Sequence, residues 1–183
     1  MRVLLTGSSG WLVQHLAPRL RTDGHLVTGV DVRPSADTHI VGSVADRASV
    51  ERAFSDYGIE AVIHSGALQK THIVHHPTST FVDVNVTGTL NLMTAAVAVG
   101  HDRFIFTSTT SLMISHNVHR DTAAAASWLD EDFGPLARRN LYGVTKLTGE
   151  GLCRLPALEY GLNCILLRTA RFFRRRMTRI GNY

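Results

Sequence analysis

The chain has 183 residues, 44% of them hydrophobic and 19% charged, which is the balance of a globular domain with one core and excludes a disordered or fibrous chain. No apolar run approaches the roughly 20 residues of a membrane span, and the first apolar run begins at Val3 with no leader before it, so a cytoplasmic protein with no membrane partner is expected. The net charge of +4 becomes −1 once the five arginines beyond residue 170 are set aside, so a nucleic-acid partner would rest on that tail alone and is not expected.

Short apolar runs alternate with longer helical patterns along the chain. Strands are predicted at 3–6, 26–30, 39–41, 61–64, 104–107 and 164–167, and helices at 11–20, 50–57, 80–99 and 142–160. Gly100 and Gly161 stand where the last two helices stop. Continuous apolar strands separated by helices imply a parallel sheet covered on both faces. The expected fold class is therefore α/β, a doubly wound Rossmann sheet in three layers over residues 1–173. Residues 121–139 read as a loop excursion of the kind that borders a substrate. Cys153 and Cys164 fall in a helical and a strand pattern and read as reduced core thiols.

Chemistry enters at the end of the first strand. Gly7 permits a tight turn, and Gly10 lets backbone approach a pyrophosphate at the N-terminus of the following helix. Asp31 ends the second strand about 20 residues on, where a carboxylate accepts hydrogen bonds from ribose hydroxyls and repels a 2′-phosphate. NAD is thus favoured over NADP, although Arg33 stands nearby and Asp31 is also a residue type that closes turns. Tyr142 and Lys146 are four residues apart and share one face of a helix. An ammonium beside a phenol stabilises phenolate, so the spacing implies a lowered Tyr142 pKa and a proton donor and acceptor at a hydroxyl. His72, His75 and His76 lack a neighbouring acid or cysteine cluster, and no metal is expected.

Taken together, these motifs resemble the extended short-chain dehydrogenase/reductase family, of the NAD-dependent epimerase/dehydratase type. Thr6-Gly7-Ser8-Ser9-Gly10-Trp11-Leu12-Val13 is similar to its phosphate turn, and Gly42-Ser43-Val44 to the segment beside adenine. His64-Ser65-Gly66-Ala67, Asn85-Val86-Thr87-Gly88-Thr89, the fifth strand ending at Ser108-Thr109, Tyr142 to Lys146 with Leu147 and Glu150, and Leu167-Arg168 follow in the family's order. The resemblance implies that Gly7, Ser9, Gly10, Trp11, Leu12, Asp31, Ser43, Val44, Gly66, Ala67, Asn85, Lys146 and Thr169 hold NAD. It implies Tyr142 as general acid/base, Lys146 as its partner and holder of the nicotinamide ribose, and Thr109 as the group that positions the reacting oxygen. Ser108, Thr110 and Ser111 are adjacent alternatives to Thr109, and Asn85 is also suited to bracing a loop. Arg171 falls where the family contacts substrate. The implied reaction is hydride transfer at a sugar hydroxyl carbon, by a nucleotide-sugar epimerase or a dehydrogenase/reductase.

Four departures qualify the resemblance. Val13 replaces a third glycine used for close packing of helix on strand, which is expected to push the helix outward. Ser43 replaces an aspartate beside adenine. Thr110-Ser111 stand where dehydratases carry Asp-Glu, which argues against elimination. The family continues beyond this length with most of its sugar-binding lobe, so a non-catalytic dinucleotide-binding module is the alternative. Where the family reads Arg-Phe-Phe-Pro-Glu-Glu-Asp-Asp, this chain has a basic tail at 174–183. One choice of codons for the tail, with a single C restored in front, reads Pro-Glu-Glu-Asp-Asp-Ala-His-Arg-Gln-Leu. The tail is therefore expected to be a shifted reading frame, disordered and without a role. The helices at 80–99 and 142–160 are expected to form a homodimer interface, as the resemblance implies.

Overall fold

The computed structural model describes residues 1–100, 102–114, 130–133, 136 and 140–170. Six strands form one parallel sheet in the order β3-β2-β1-β4-β5-β6. They are β1 (Arg2–Thr6), β2 (Leu26–Asp31), β3 (Ile40–Val41), β4 (Ala61–His64), β5 (Arg103–Thr109) and β6 (Asn163–Thr169). The chain reverses direction across the sheet between β3 and β4, which is the switch point of a doubly wound fold. The expected fold class is the observed one.

The alternation of faces decides the core. Leu4, Val30, Val62, Phe104 and Phe106 face one layer of helices: α2 (Arg47–Tyr57), α4 (Gly88–Ala98) and α5 (Leu141–Tyr160). Val3, Leu5, Val27 and Ala61 face the opposite side, under α1 (Trp11–Thr22). Each of the larger buried side chains contributes about 1.5–3 kcal/mol. Val13 is part of the second layer and only 1% exposed. The valine in place of glycine is thus absorbed as core.

The helix expected over 80–99 is a composite. It opens as α3 (Thr78–Val82), widens into one π-helical turn at Asp83–Thr87 and resumes as α4. Asn85 sits in the wide turn, 2% exposed. On α5, a Cβ at Gly149 would lie 2.5 Å from Cζ of Phe106, so the missing side chain lets the helix rest on that ring. Gly161 then ends α5 in the left-handed conformation at φ 67°. Cys153 and Cys164 are both free. Among the described residues, no helix is long and apolar enough to cross a membrane.

Candidate active site

Parallel pairing brings four chain segments to one edge. Thr6, His64, Thr109 and Thr169 all end neighbouring strands at their carboxyl ends, where open α/β sheets bind ligands.

The turn after β1 is built on backbone contact. Gly7 has φ 74°, and a Cβ there would lie 2.8 Å from Cα of Gly66. Gly10 caps α1 with no side-chain hydrogen bond to the first helical amides, and its own N–H donates to Gly7 O at 2.9 Å. Trp11 and Leu12 therefore begin a 12-residue helix at its positive end. Ser9 Oγ is buried without a hydrogen-bond partner, a state that a bound phosphate oxygen would relieve. Ser9 N–H and Arg33 N–H each donate to one oxygen of Asp31, both at 2.9 Å. Each carboxylate oxygen keeps a second lone pair for a ribose hydroxyl. The adenosine diphosphate half of a dinucleotide fits this set of groups.

Two of the expected adenine neighbours have other tasks. Ser43 Oγ accepts from Ala45 N–H at 3.1 Å, and the Val44 side chain is 6% exposed and packed in the core. Val44 can offer a ligand its backbone only. Gly66 donates its N–H to Thr6 Oγ1 at 2.9 Å, and Ala67 follows it half-buried.

The other end of the site gathers around β5 and α5. Asn140 caps α5 by accepting from Gly143 N–H at 3.0 Å, which places Tyr142 in the first turn. Thr109 acts on the Tyr142 phenol and pulls its pKa downward, against the larger upward effect of burial. Of the neighbouring hydroxyls, Ser108 instead donates to Glu150 at 2.6 Å and Thr110 donates to the Thr169 carbonyl at 3.5 Å. Thr109 Oγ1 itself accepts from Ser111 N–H at 3.1 Å. Thr169 closes the edge by donating to Ser108 O at 3.1 Å. Arg171, the loop over 121–129 and the tail over 174–183 lie outside the described residues.

Lys146 departs from expectation. Its Nζ donates to the Thr107 carbonyl at 2.6 Å and lies 4.5 Å from the Phe106 ring centroid. Burial lowers the ammonium pKa to about 8, against the upward pulls of Cys153 and Glu150. The Tyr142 phenol, expected to be lowered by Lys146, stands above the ordinary value of 10.0 because burial outweighs the pull of Thr109. Sharing a helix face brought the two residues near one another, but the strand carbonyl captured the ammonium.

Behind these groups lies a layer of buried polar side chains that motif spacing alone does not assign. Asn85 Nδ2 donates to Leu68 O and Thr145 Oγ1, and its Oδ1 accepts from Leu68 N–H, at 2.8 to 3.0 Å. Thr145 in turn donates to the Tyr142 carbonyl at 3.0 Å. Asn85 thus braces the helix of Tyr142 from below. Glu150 accepts from Arg168 through both oxygens, at 3.1 and 3.0 Å, and joins α5 to β6. Thr6 and His64 are buried polar residues that follow the apolar runs Val3–Leu5 and Ala61–Ile63, a signal that marks them for a specific task. Among the described residues no group of three potential metal ligands occurs, and the rings of His72 and His76 are 6.1 Å apart.

The profile of the NAD dependent epimerase/dehydratase family matches residues 3–179. A UDP-glucose 4-epimerase of Klebsiella pneumoniae is 32% identical over 127 residues, covering 61% of this chain and 91% of that one. A short-chain dehydrogenase/reductase superfamily protein from Agrobacterium tumefaciens, solved with bound NAD, superposes with a TM-score of 0.76 at 32% identity, over 92% of this chain and 48% of that one. The NAD complex of the Thermus thermophilus UDP-glucose 4-epimerase shares the fold, with a TM-score of 0.79 at 24% identity, over 92% and 54%. The chain spans about half the length of these solved proteins. Its parallel sheet, its glycine turn and the match over nearly its whole length together make it a member of the NAD dependent epimerase/dehydratase family.

Proposed function

We propose that this chain is the NAD-binding, proton-handling half of a nucleotide-sugar epimerase or dehydrogenase/reductase. The observation that carries the reading is the meeting of two partial sites at one sheet edge. The phosphate turn with Asp31 stands at one end, and Thr109 acting on the Tyr142 phenol stands at the other. In this reading Gly7, Ser9, Gly10, Trp11 and Leu12 hold the pyrophosphate and Asp31 holds the adenosine ribose. The backbone at Ser43 and Val44 lies beside adenine, and Gly66, Ala67 and Asn85 support the middle of the cofactor. When bound, NAD supplies the hydride acceptor.

The chain's own residues manage the proton. Thr109 donates to the reacting hydroxyl oxygen and holds it against the phenol. Tyr142 accepts the hydroxyl proton as the sugar carbon is oxidised and returns it on reduction. Its raised pKa favours the protonated form, so the phenolate needs a nearby positive charge. Lys146 is one turn away and still largely protonated at neutral pH, and it serves as that charge and as a ribose ligand. Thr169 borders the nicotinamide, and Arg171 is assigned to substrate. The UDP-glucose epimerases among its relatives support a nucleotide sugar as substrate.

A second reading is a dinucleotide-binding module without turnover, for which the glycine turn and Asp31 suffice and the raised Tyr142 pKa is no obstacle. Calorimetric titration with NAD, followed by hydride-transfer assays on a panel of UDP-sugars, separates the two. Turnover that disappears in Tyr142→Phe while NAD binding persists supports the enzyme. Binding without turnover supports the module, and absence of NAD binding contradicts both.

A further inference from the structure

His64 lies at the centre of a buried hydrogen-bond chain whose proton positions are all determined. Thr6 Oγ1 accepts from Ser65 N–H at 3.1 Å and from Gly66 N–H at 2.9 Å. Both lone pairs of that hydroxyl are occupied, so its proton goes to His64 Nδ1, 2.7 Å away. On the other side, Thr89 Oγ1 donates its proton to Asn85 O at 2.7 Å. It can therefore only accept from His64 Nε2, at 3.0 Å. The two ends independently require a neutral imidazole with Nδ1 bare and Nε2 protonated. A second ring proton would face a hydroxyl with no lone pair left.

Thr6, His64, Thr89, Asn85 and Thr145 are each 2% exposed or less. The hydrogen-bond chain starts one residue before Gly7 and ends at the carbonyl of Tyr142, through Asn85 and Thr145. It crosses the π-helical turn at Asp83–Thr87, and the Thr89 hydroxyl reaches the Asn85 carbonyl four residues back along the helix. Three elements besides β4 surround the ring. β1 offers Thr6, the composite helix offers Thr89, and β5 offers Phe104 and Phe106, whose centroids are 6.4 and 5.6 Å from it. The charged group acting on His64 is Lys146 from α5, which opposes protonation together with burial.

We infer that His64 is a positioning residue: as a neutral Nε2–H imidazole between Thr6 and Thr89, it sets the placement of Asn85 and the Tyr142 turn of α5 relative to the phosphate turn. The inference rests on the NAD reading for its functional consequence, and its structural premise stands without it. Positioning of this kind acts on one end of the cofactor. The adenosine end is held by Gly7 to Leu12 and Asp31, none of whose side chains enters the hydrogen-bond chain. The nicotinamide end depends on Asn85, Tyr142 and Lys146, whose frame it supports.

The premise is tested on the ligand-free protein by ¹⁵N imidazole resonances of His64, followed through the region of 6.5 where a free imidazole titrates. Expected are a bare Nδ1 and a protonated Nε2, unchanged with pH; a protonated Nδ1 or a titration there overturns the inference. The consequence is tested by the affinities of NAD and of ADP, which lacks the nicotinamide and its ribose, in the wild type, Thr89→Val and Thr89→Ser. Thr89→Val should reduce the advantage of NAD over ADP about tenfold and leave ADP affinity unchanged, and Thr89→Ser should restore it. Equal weakening of both ligands, or of neither, overturns positioning and leaves the NAD reading intact. A wild type that binds neither ligand refutes the NAD reading itself. Should Thr89→Val fail to fold, the imidazole resonances still decide.

Discussion

Replacing Lys146 by methionine exposes the cost of the buried cation. Lys146 is 4% exposed and carries its charge against the Phe106 ring and the Thr107 carbonyl. Lowering an ammonium from the ordinary 10.5 to about 8 corresponds to about 3 kcal/mol against the charged form in the fold. Below about 8 the lysine is charged in both folded and unfolded chains, and the fold bears that whole cost. Between about 8 and 10.5 the folded lysine has released its proton while the unfolded one keeps it, so stability from this group rises with pH. Methionine has no such dependence. It leaves the Thr107 carbonyl without its donor, a loss of about 1–2 kcal/mol. Lys146→Met is therefore expected to be more stable than the wild type by about 1–2 kcal/mol at neutral pH, with the advantage reversing at strongly alkaline pH. Urea denaturation of both proteins across that range is the assay. A variant destabilised by the same amount at every pH would refute the reasoning, because it would mean that the fold bears no cost for the charge. Weaker NAD binding by the stabilised variant would show why the cost is retained.

Three further outcomes follow from the site. Glu150→Gln leaves the Arg168 guanidinium, 17% exposed at its side chain, opposite a neutral amide; denaturant unfolding should show a loss of about 3 kcal/mol. Asp31→Ala should narrow the preference for NAD over NADP in paired titrations, and equal affinities in the wild type would contradict its assignment to the ribose. On α5, Leu155 and Leu158 are 52% and 84% exposed, and we propose that they meet a second copy of the chain. Leu158→Asp should convert a dimer to a monomer in sedimentation velocity, and a wild-type monomer would remove the dimer proposal.

The sheet and its helices were legible because buried parallel strands are continuous apolar runs and the helices between them are longer. Val3 to Thr6 and Ala61 to His64 needed nothing more. The glycine turn was legible because φ at Gly7 and the contact with Gly66 admit no side chain. The π-helical turn was not, since residues 80–99 carry one uninterrupted helical pattern, whereas the Asn85 side chain in the wide turn is held by the Leu68 backbone, 17 residues away. The Lys146 partner was also hidden. Helical spacing specifies which residues share a face, whereas the Thr107 carbonyl reaches Lys146 from a strand 39 residues away in sequence. His64 was visible as part of a motif, but its role depends on hydroxyl lone pairs already filled by Ser65 and Gly66.

The central claim is that the phosphate turn and the Thr109–Tyr142 pair serve one bound NAD. A crystal structure of the chain soaked with NAD tests it most directly. The account predicts the pyrophosphate on the amides that open α1, the adenosine ribose on Asp31, and the nicotinamide between Thr109, Tyr142 and Thr169, with Lys146 turned from the Thr107 carbonyl to the ribose. A nicotinamide lying away from Tyr142, with the pyrophosphate off the glycine turn, would contradict it.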